Sequence, residues 1–114
     1  MIISDRTNIA AGGLNANIFA GNYIEFMPDD GILQFGFTSD EAAATADNIR
    51  LDVLCGTEQI GRQYVPPATA AQPVYPDHFR LSCPAPAGER IVASVRNAAA
   101  AAKNLFWEVI LDLV

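Results

Sequence analysis

Along most of the chain apolar and polar residues alternate with a period of two, the signature of strands that bury one face. The cleanest stretch runs from Asn48 to Cys55, where Ile49, Leu51, Val53 and Cys55 fall on one side and Arg50 and Asp52 on the other. From 78 to 83, Phe79, Leu81 and Cys83 alternate with His78, Arg80 and Ser82; from 89 to 97, Ile91, Ala93 and Val95 share a side. From 105 to 114 one face holds Leu105, Trp107, Val109, Leu111 and Leu113. The other face, with Phe106, Ile110 and Val114 among Glu108 and Asp112, is half apolar. A strand of that kind is either buried on both sides or turned toward a partner. Residues 58–65, marked by Ile60, Tyr64 and Val65, read as a more polar edge strand. Over 17–38 two alternating runs flank Pro28-Asp29-Asp30-Gly31, which predicts a β-hairpin, because proline presets a turn angle and glycine accepts positive φ.

The connections carry no long amphipathic helix, so parallel βαβ units are excluded. Ser39-Asp40-Glu41 ahead of Ala42, Ala43, Ala44 and Ala46 permits either a short helix or a plain loop. Pro66-Pro67 ends a strand, and Pro73 and Pro76 stiffen an extended loop up to position 76. The alanine run 98–102 reads as a connection, since so short a run nucleates a helix poorly. Residues 1–16 look like an extended arm: Ile2, Ile3 and Ile9 are interrupted by Asp5, Arg6, Thr7 and Asn8, and Gly12-Gly13 follows. The expected architecture is an all-β antiparallel β-sandwich or jelly-roll-like barrel of about seven or eight strands spanning 17–114, preceded by that N-terminal arm over 1–16.

With 114 residues the chain has room for one ordinary domain. Seven basic and 13 acidic residues give a formal net charge of −6, and Lys103 is the lone lysine among scattered arginines. Direct nucleic-acid binding, which needs clustered cations, is not expected. No stretch of about 20 apolar residues is present, so no membrane span is expected, and the first residues do not read as a secretory signal. Cys55 and Cys83 are too few for a disulfide framework and read as reduced, buried thiols on strands.

Candidate chemistry is sparse. His78 is the single histidine, and its neighbour Asp77 would point to the opposite side of a strand, so a nucleophile–base–acid set is not expected. Cys55, Cys83 and His78 lack the close ligand pair of a zinc site. Asp29 and Asp30 are explained by their turn rather than by a calcium or glycosidase role. Gly12-Gly13 lacks the lysine and helix of a phosphate loop. Tyr64, Tyr75, Phe79 and Trp107 are the candidates for an aromatic stacking platform, although aromatics on strands are more often core. No catalytic, cofactor or metal residues are therefore assigned, and the chain reads as non-enzymatic.

What remains is the apolar arm, the Pro/Ala loop and a C-terminal strand without a polar tail. Apolar segments poor in lysine fit surfaces that neighbouring subunits bury. Ile2, Ile3, Ile9, Ile18, Phe19, Val74 and Tyr75 are the expected partner contacts, in a homo-oligomer. A small all-β chain with an Ala/Gly-rich segment from Ile9 to Phe19, a Pro/Ala loop and no catalytic set resembles small bacteriophage virion proteins. These are capsid cement or decoration proteins and minor capsid proteins. The resemblance implies a structural subunit that stabilises a capsid through contacts with other capsid proteins, located in the virion and assembled in the host cytoplasm. The competing expectation is a carbohydrate- or ligand-binding β-sandwich module of lectin-like or receptor-binding type.

Overall fold

The computed structural model describes residues 1–113. Eight strands form in chain order: β1 (Ile2–Ile9), β2 (Leu14–Asn15), β3 (Gly31–Ser39), β4 (Ile49–Cys55), β5 (Glu58–Tyr64), β6 (Phe79–Ala85), β7 (Ile91–Asn97) and β8 (Lys103–Leu113). They build two four-stranded sheets, β1-β8-β3-β6 (sheet A) and β2-β7-β4-β5 (sheet B). Every strand pairing is antiparallel. The expected all-β sandwich is the observed one. The pairings are nested, β1 with β8, β2 with β7, β3 with β6 and β4 with β5, which is the connectivity of a jelly roll.

The alternation along each strand explains the core. Leu33, Phe35 and Phe37 of β3 and Leu105, Trp107, Val109 and Leu111 of β8 face inward from sheet A. Ile49, Leu51 and Val53 of β4 and Ile91, Ala93 and Val95 of β7 meet them from sheet B. Phe19 fills the centre, edge-on to Trp107 at 5.1 Å and stacked near Phe35 at 6.1 Å.

Three expectations are corrected. Residues 1–16 are not an arm held from outside the chain. They supply the edge strands β1 and β2, and β1 pairs with β8 from Ile2↔Ile110 through Ile9↔Lys103. The inward positions of β1 are Ile3, Asp5, Thr7 and Ile9; a carboxylate and a hydroxyl among them hide the period of two. The hydroxyl of Thr7 accepts a hydrogen bond from Trp107 Nε1. The hairpin predicted over 17–38 is replaced by a single strand, β3, preceded by a turn-rich segment. Asn17 and Asn22 accept backbone N–H groups two residues ahead, which bends the chain away from strand geometry. A 3-10 turn follows at Tyr23–Glu25, and Phe26 makes one isolated bridge to Arg90. Third, Cys55 and Cys83 are joined in a disulfide rather than reduced. Both point inward, as alternation requires, but they sit on opposite sheets, and only the strand order brings them together.

At 43–48 the undecided segment is a pair of short 3-10 turns. The connection 98–102 is irregular, as expected. It is held by Asn97, whose Nδ2 lies 3.0 to 3.3 Å from the carbonyls of Ile9, Ala10 and Ala101 while its Oδ1 accepts from Ala99 N–H. No helix among the described residues is long and apolar enough to cross a membrane.

Candidate functional site

The loop between β5 and β6 decides which surface of the sandwich stays open. Its first part runs beside the end of β3: Ser39 bridges Ala68 in parallel, and Ser39 N–H donates to the Pro67 carbonyl. The hydroxyl of Thr38 then donates to the Ala71 carbonyl, and Gln72 Nε2 reaches the Asp5 carbonyl of β1 at 3.4 Å. Because β8 lies between β3 and β1, a loop touching both must cross the outer side of β8. The residue crossed is Phe106, which pairs with Thr38 on one side and Arg6 on the other. The loop is a strap over one end of sheet A. It returns through a turn in which His78 N–H donates to the Val74 carbonyl and His78 Nδ1 accepts from Val74 N–H. His78 is thereby a turn-closing residue.

The strap ends on Gly36. A Cβ there would lie 2.7 Å from Phe79 Cε1, so the glycine is what lets the Phe79 ring lie flat on the sheet. Tyr75 packs edge-on against that ring at 5.3 Å. On the half-apolar outer face of β8 both apolar residues are part-buried, Phe106 where the strap crosses and Ile110 beyond it. Ile110 lies beside its register partner Ile2, which is 64% exposed. Ile32, 44% exposed, and Pro84 continue the open apolar surface across β3 and β6.

The expected partner-contact residues divide accordingly. Ile2, Val74 and Tyr75 are exposed, all on the outer side of sheet A or its strap. Ile3 is partly buried and packs on the core. Ile9, Ile18 and Phe19 are core residues of their own domain, at 3%, 8% and 0% exposure, and have no surface to offer a partner. Ile32 and Ile110 were not singled out by the sequence. For Ile110 the signal was present in the half-apolar face of the last strand; for Ile32, on β3, the strand alternation put it on the side away from Leu33, Phe35 and Phe37.

The other candidates resolve into structure. Trp107 is core, Tyr64 leans on Phe37, and only Tyr75 and Phe79 share a surface, so the four aromatics form no platform. Burial pushes the Tyr64 phenol above its ordinary pKa, and Arg80 partly opposes that. Asp30 Oδ1 accepts from Ala87 N–H, tying the turn before β3 to the turn before β7. Among the described residues no group of three or more His, Cys, Asp or Glu side chains could hold a metal ion.

The buried acid is Glu41. Its Oε1 accepts from Ala42 N–H at 2.8 Å and lies 3.4 Å from Lys103 Nζ, while Oε2 accepts from Asn48 Nδ2 at 3.2 Å. The Ala42 N–H, followed by the Asn48 amide, lowers its pKa from 4.5 to about 2. A fully bonded carboxylate of this kind holds the 3-10 turns against β8; it is a fastener, not a reactive group. No protein-family model matches this chain, and no curated protein matches it either.

Proposed function

We propose that the protein is a non-enzymatic structural subunit of a virion, a capsid cement, decoration or minor capsid protein acting as a homo-oligomer. The observation that carries the reading is the exposed apolar side chains on the outer side of sheet A, Ile2 and Ile32, with part-buried Ile110 next to Ile2 and exposed Val74 and Tyr75 on the strap. Exposed apolar side chains gathered on one side of a domain mark a place where another protein sits. Jelly rolls serve in viral capsids and in lectins alike, so the architecture supports the reading by analogy only. The disulfide adds to it, because such bonds persist on virion surfaces and are rare in reducing cytosol. It fits the completed particle better than the subunit before assembly.

The strap and β1 supply the mechanism. Both are already ordered by the chain's own contacts, so binding at this face does not have to pay again for ordering them. Burial of the three isoleucines provides the attraction, at roughly 25 cal/mol per Å² of apolar area. Many copies around a shell then act together.

Sedimentation velocity over a concentration series tests this. The expected result is a mass that is a multiple of 12.2 kDa and falls to the monomer in the double variant Ile2→Glu, Ile110→Glu with its fold retained. A wild-type chain that stays monomeric at the highest concentration rejects the homo-oligomer. Deleting residues 1–16 is not the test, because it removes an edge strand from each sheet and Ile9 from the core.

A further inference from the structure

The outer face of sheet B carries a polar arrangement of a different kind. Strands β2, β7 and β4 place Leu14, Arg96 and Arg50 in one cross-strand row. The next row holds Ser94 and Asp52, and Asp52 Oδ1 accepts from Gln63 N–H at 2.8 Å. These six residues line a depression of about 200 Å³.

Two features of the depression work against stability. Arg50 and Arg96 are directly opposite each other, and like charges so placed repel. Arg96 has no acidic partner among the described residues, whereas Arg50 Nε donates to the Asp47 carbonyl at 3.1 Å and its Nη2 lies 3.8 Å from the exposed Asp47 carboxylate. The second feature is a bulge. Leu51 pairs with Tyr64 and Val53 with Gly61, so Arg62 and Gln63 together stand opposite Asp52. Gln63 takes φ 51°, in the left-handed region that favours glycine. Bulges and strained residues of this sort recur where a side chain has to be aimed at a ligand.

We propose that this depression binds an acidic sugar, a hexuronate in its simplest form, through its carboxylate. Arg96 and the remaining donors of Arg50 take the carboxylate in charge-assisted hydrogen bonds, which relieves their repulsion. The Ser94 hydroxyl and Asp52 Oδ2, which has no bond within the described chain, take ring hydroxyls. Leu14 covers the apolar face of the ring. Asp52 sets the ligand class. A sulfate between the arginines would bring no hydroxyl to satisfy its carboxylate, and neither would an acidic protein side chain. The volume limits the occupant to about one ring, since drug-sized ligands fill about 300–1,000 Å³. The inference uses sheet B alone and stands apart from the assembly reading of sheet A.

The test is a titration of the full ¹⁵N-labelled chain, followed by amide NMR at constant ionic strength. The probes are sodium glucuronate, glucose and sodium sulfate. Glucuronate is expected to give saturable shifts at Arg50, Asp52, Gln63, Ser94 and Arg96, with glucose and sulfate at least about tenfold weaker. Arg96→Gln and Arg50→Gln are each expected to weaken glucuronate by about tenfold or more with the dispersion of the spectrum unchanged. Arg96→Lys, which keeps the charge and loses the planar fork, replaces any glutamine variant that misfolds, and is expected to weaken binding as well. Asp52→Asn is expected to tighten sulfate. Equal binding of sulfate and glucuronate, or unchanged affinity in the arginine variants, overturns the proposal. So does a fall in sedimenting mass in Arg96→Gln without any response to glucuronate, which would make the occupant a protein carboxylate.

Discussion

Glu41 shows how one side chain can set the acid limit of a segment. Its carboxyl is held near pKa 2 against an ordinary 4.5, chiefly by the Ala42 N–H and then by the Asn48 amide. A depressed carboxyl contributes stability that is complete above the unfolded value and is lost as pH falls through the folded one. The window here runs from about 4.5 down to about 2. Glu41→Gln is expected to be less stable than wild type at pH 7, with the two converging near pH 2. Urea melts of both proteins across that range measure the gap. A gap that stays constant with pH would mean that the carboxylate's charge contributes nothing. The same residue shows a limit of sequence reading. Ser39-Asp40-Glu41 looks like the opening of a helix, but Asp40 Oδ1 accepts from Asn104 N–H and Glu41 bonds Asn48 and Lys103. Both acids are committed to other parts of the chain, and no local rule discloses that.

The strap between β5 and β6 is the element that gives sheet A two different surfaces, and it depends on Gly36. Gly36→Ala would drive a methyl into the Phe79 ring. The expected cost is about 1–3 kcal/mol, the usual range for overpacking, read from denaturant midpoints. In a Phe79→Ala background the cost should largely vanish, since the ring is what the added methyl meets. The strands themselves were legible in the sequence wherever alternation ran unbroken: β4, β7 and β8 match their predicted faces, and β5 is an edge strand as its polarity implied. β1 was not legible, because Asp5 occupies an inward position at a sheet edge where water still reaches it. The turn segment before β3 was not legible either. Ile24 is buried there without belonging to a strand, and Phe26 is exposed although the alternation puts it on the same side as Ile24. Of the candidate interface, Ile2, Val74 and Tyr75 could be named from composition and position, whereas Ile9, Ile18 and Phe19 are apolar for the ordinary reason that they fill the core.

At the scale of the whole molecule, the disulfide fastens β4 of sheet B to β6 of sheet A and closes a segment of 28 residues. On the chain-entropy account that loop is worth about 3–4 kcal/mol. The Cys55→Ser, Cys83→Ser variant is expected to lose that much in guanidinium melts, and wild type in reductant should match it. If wild type is equally stable with and without reductant, the bond is not holding the sheets together. The nested pairing has a consequence for how the molecule is made. Met1 N and Leu111 O are 2.8 Å apart, so the start of β1 has no partner until β8 has been made. β4 and β5 can zip together as soon as they emerge, joined by the short turn at Gly56-Thr57. Each further shell of the nest closes a longer loop, from β3–β6 to β2–β7 and finally β1–β8. Contacts so distant in sequence make folding slow. A ribosome-bound chain that stops before Lys103 lacks the central partner of both β1 and β3. Sheet A can therefore be completed only after translation has passed that point, and until then Leu33, Phe35 and Phe37 of β3 lack their neighbours on β8.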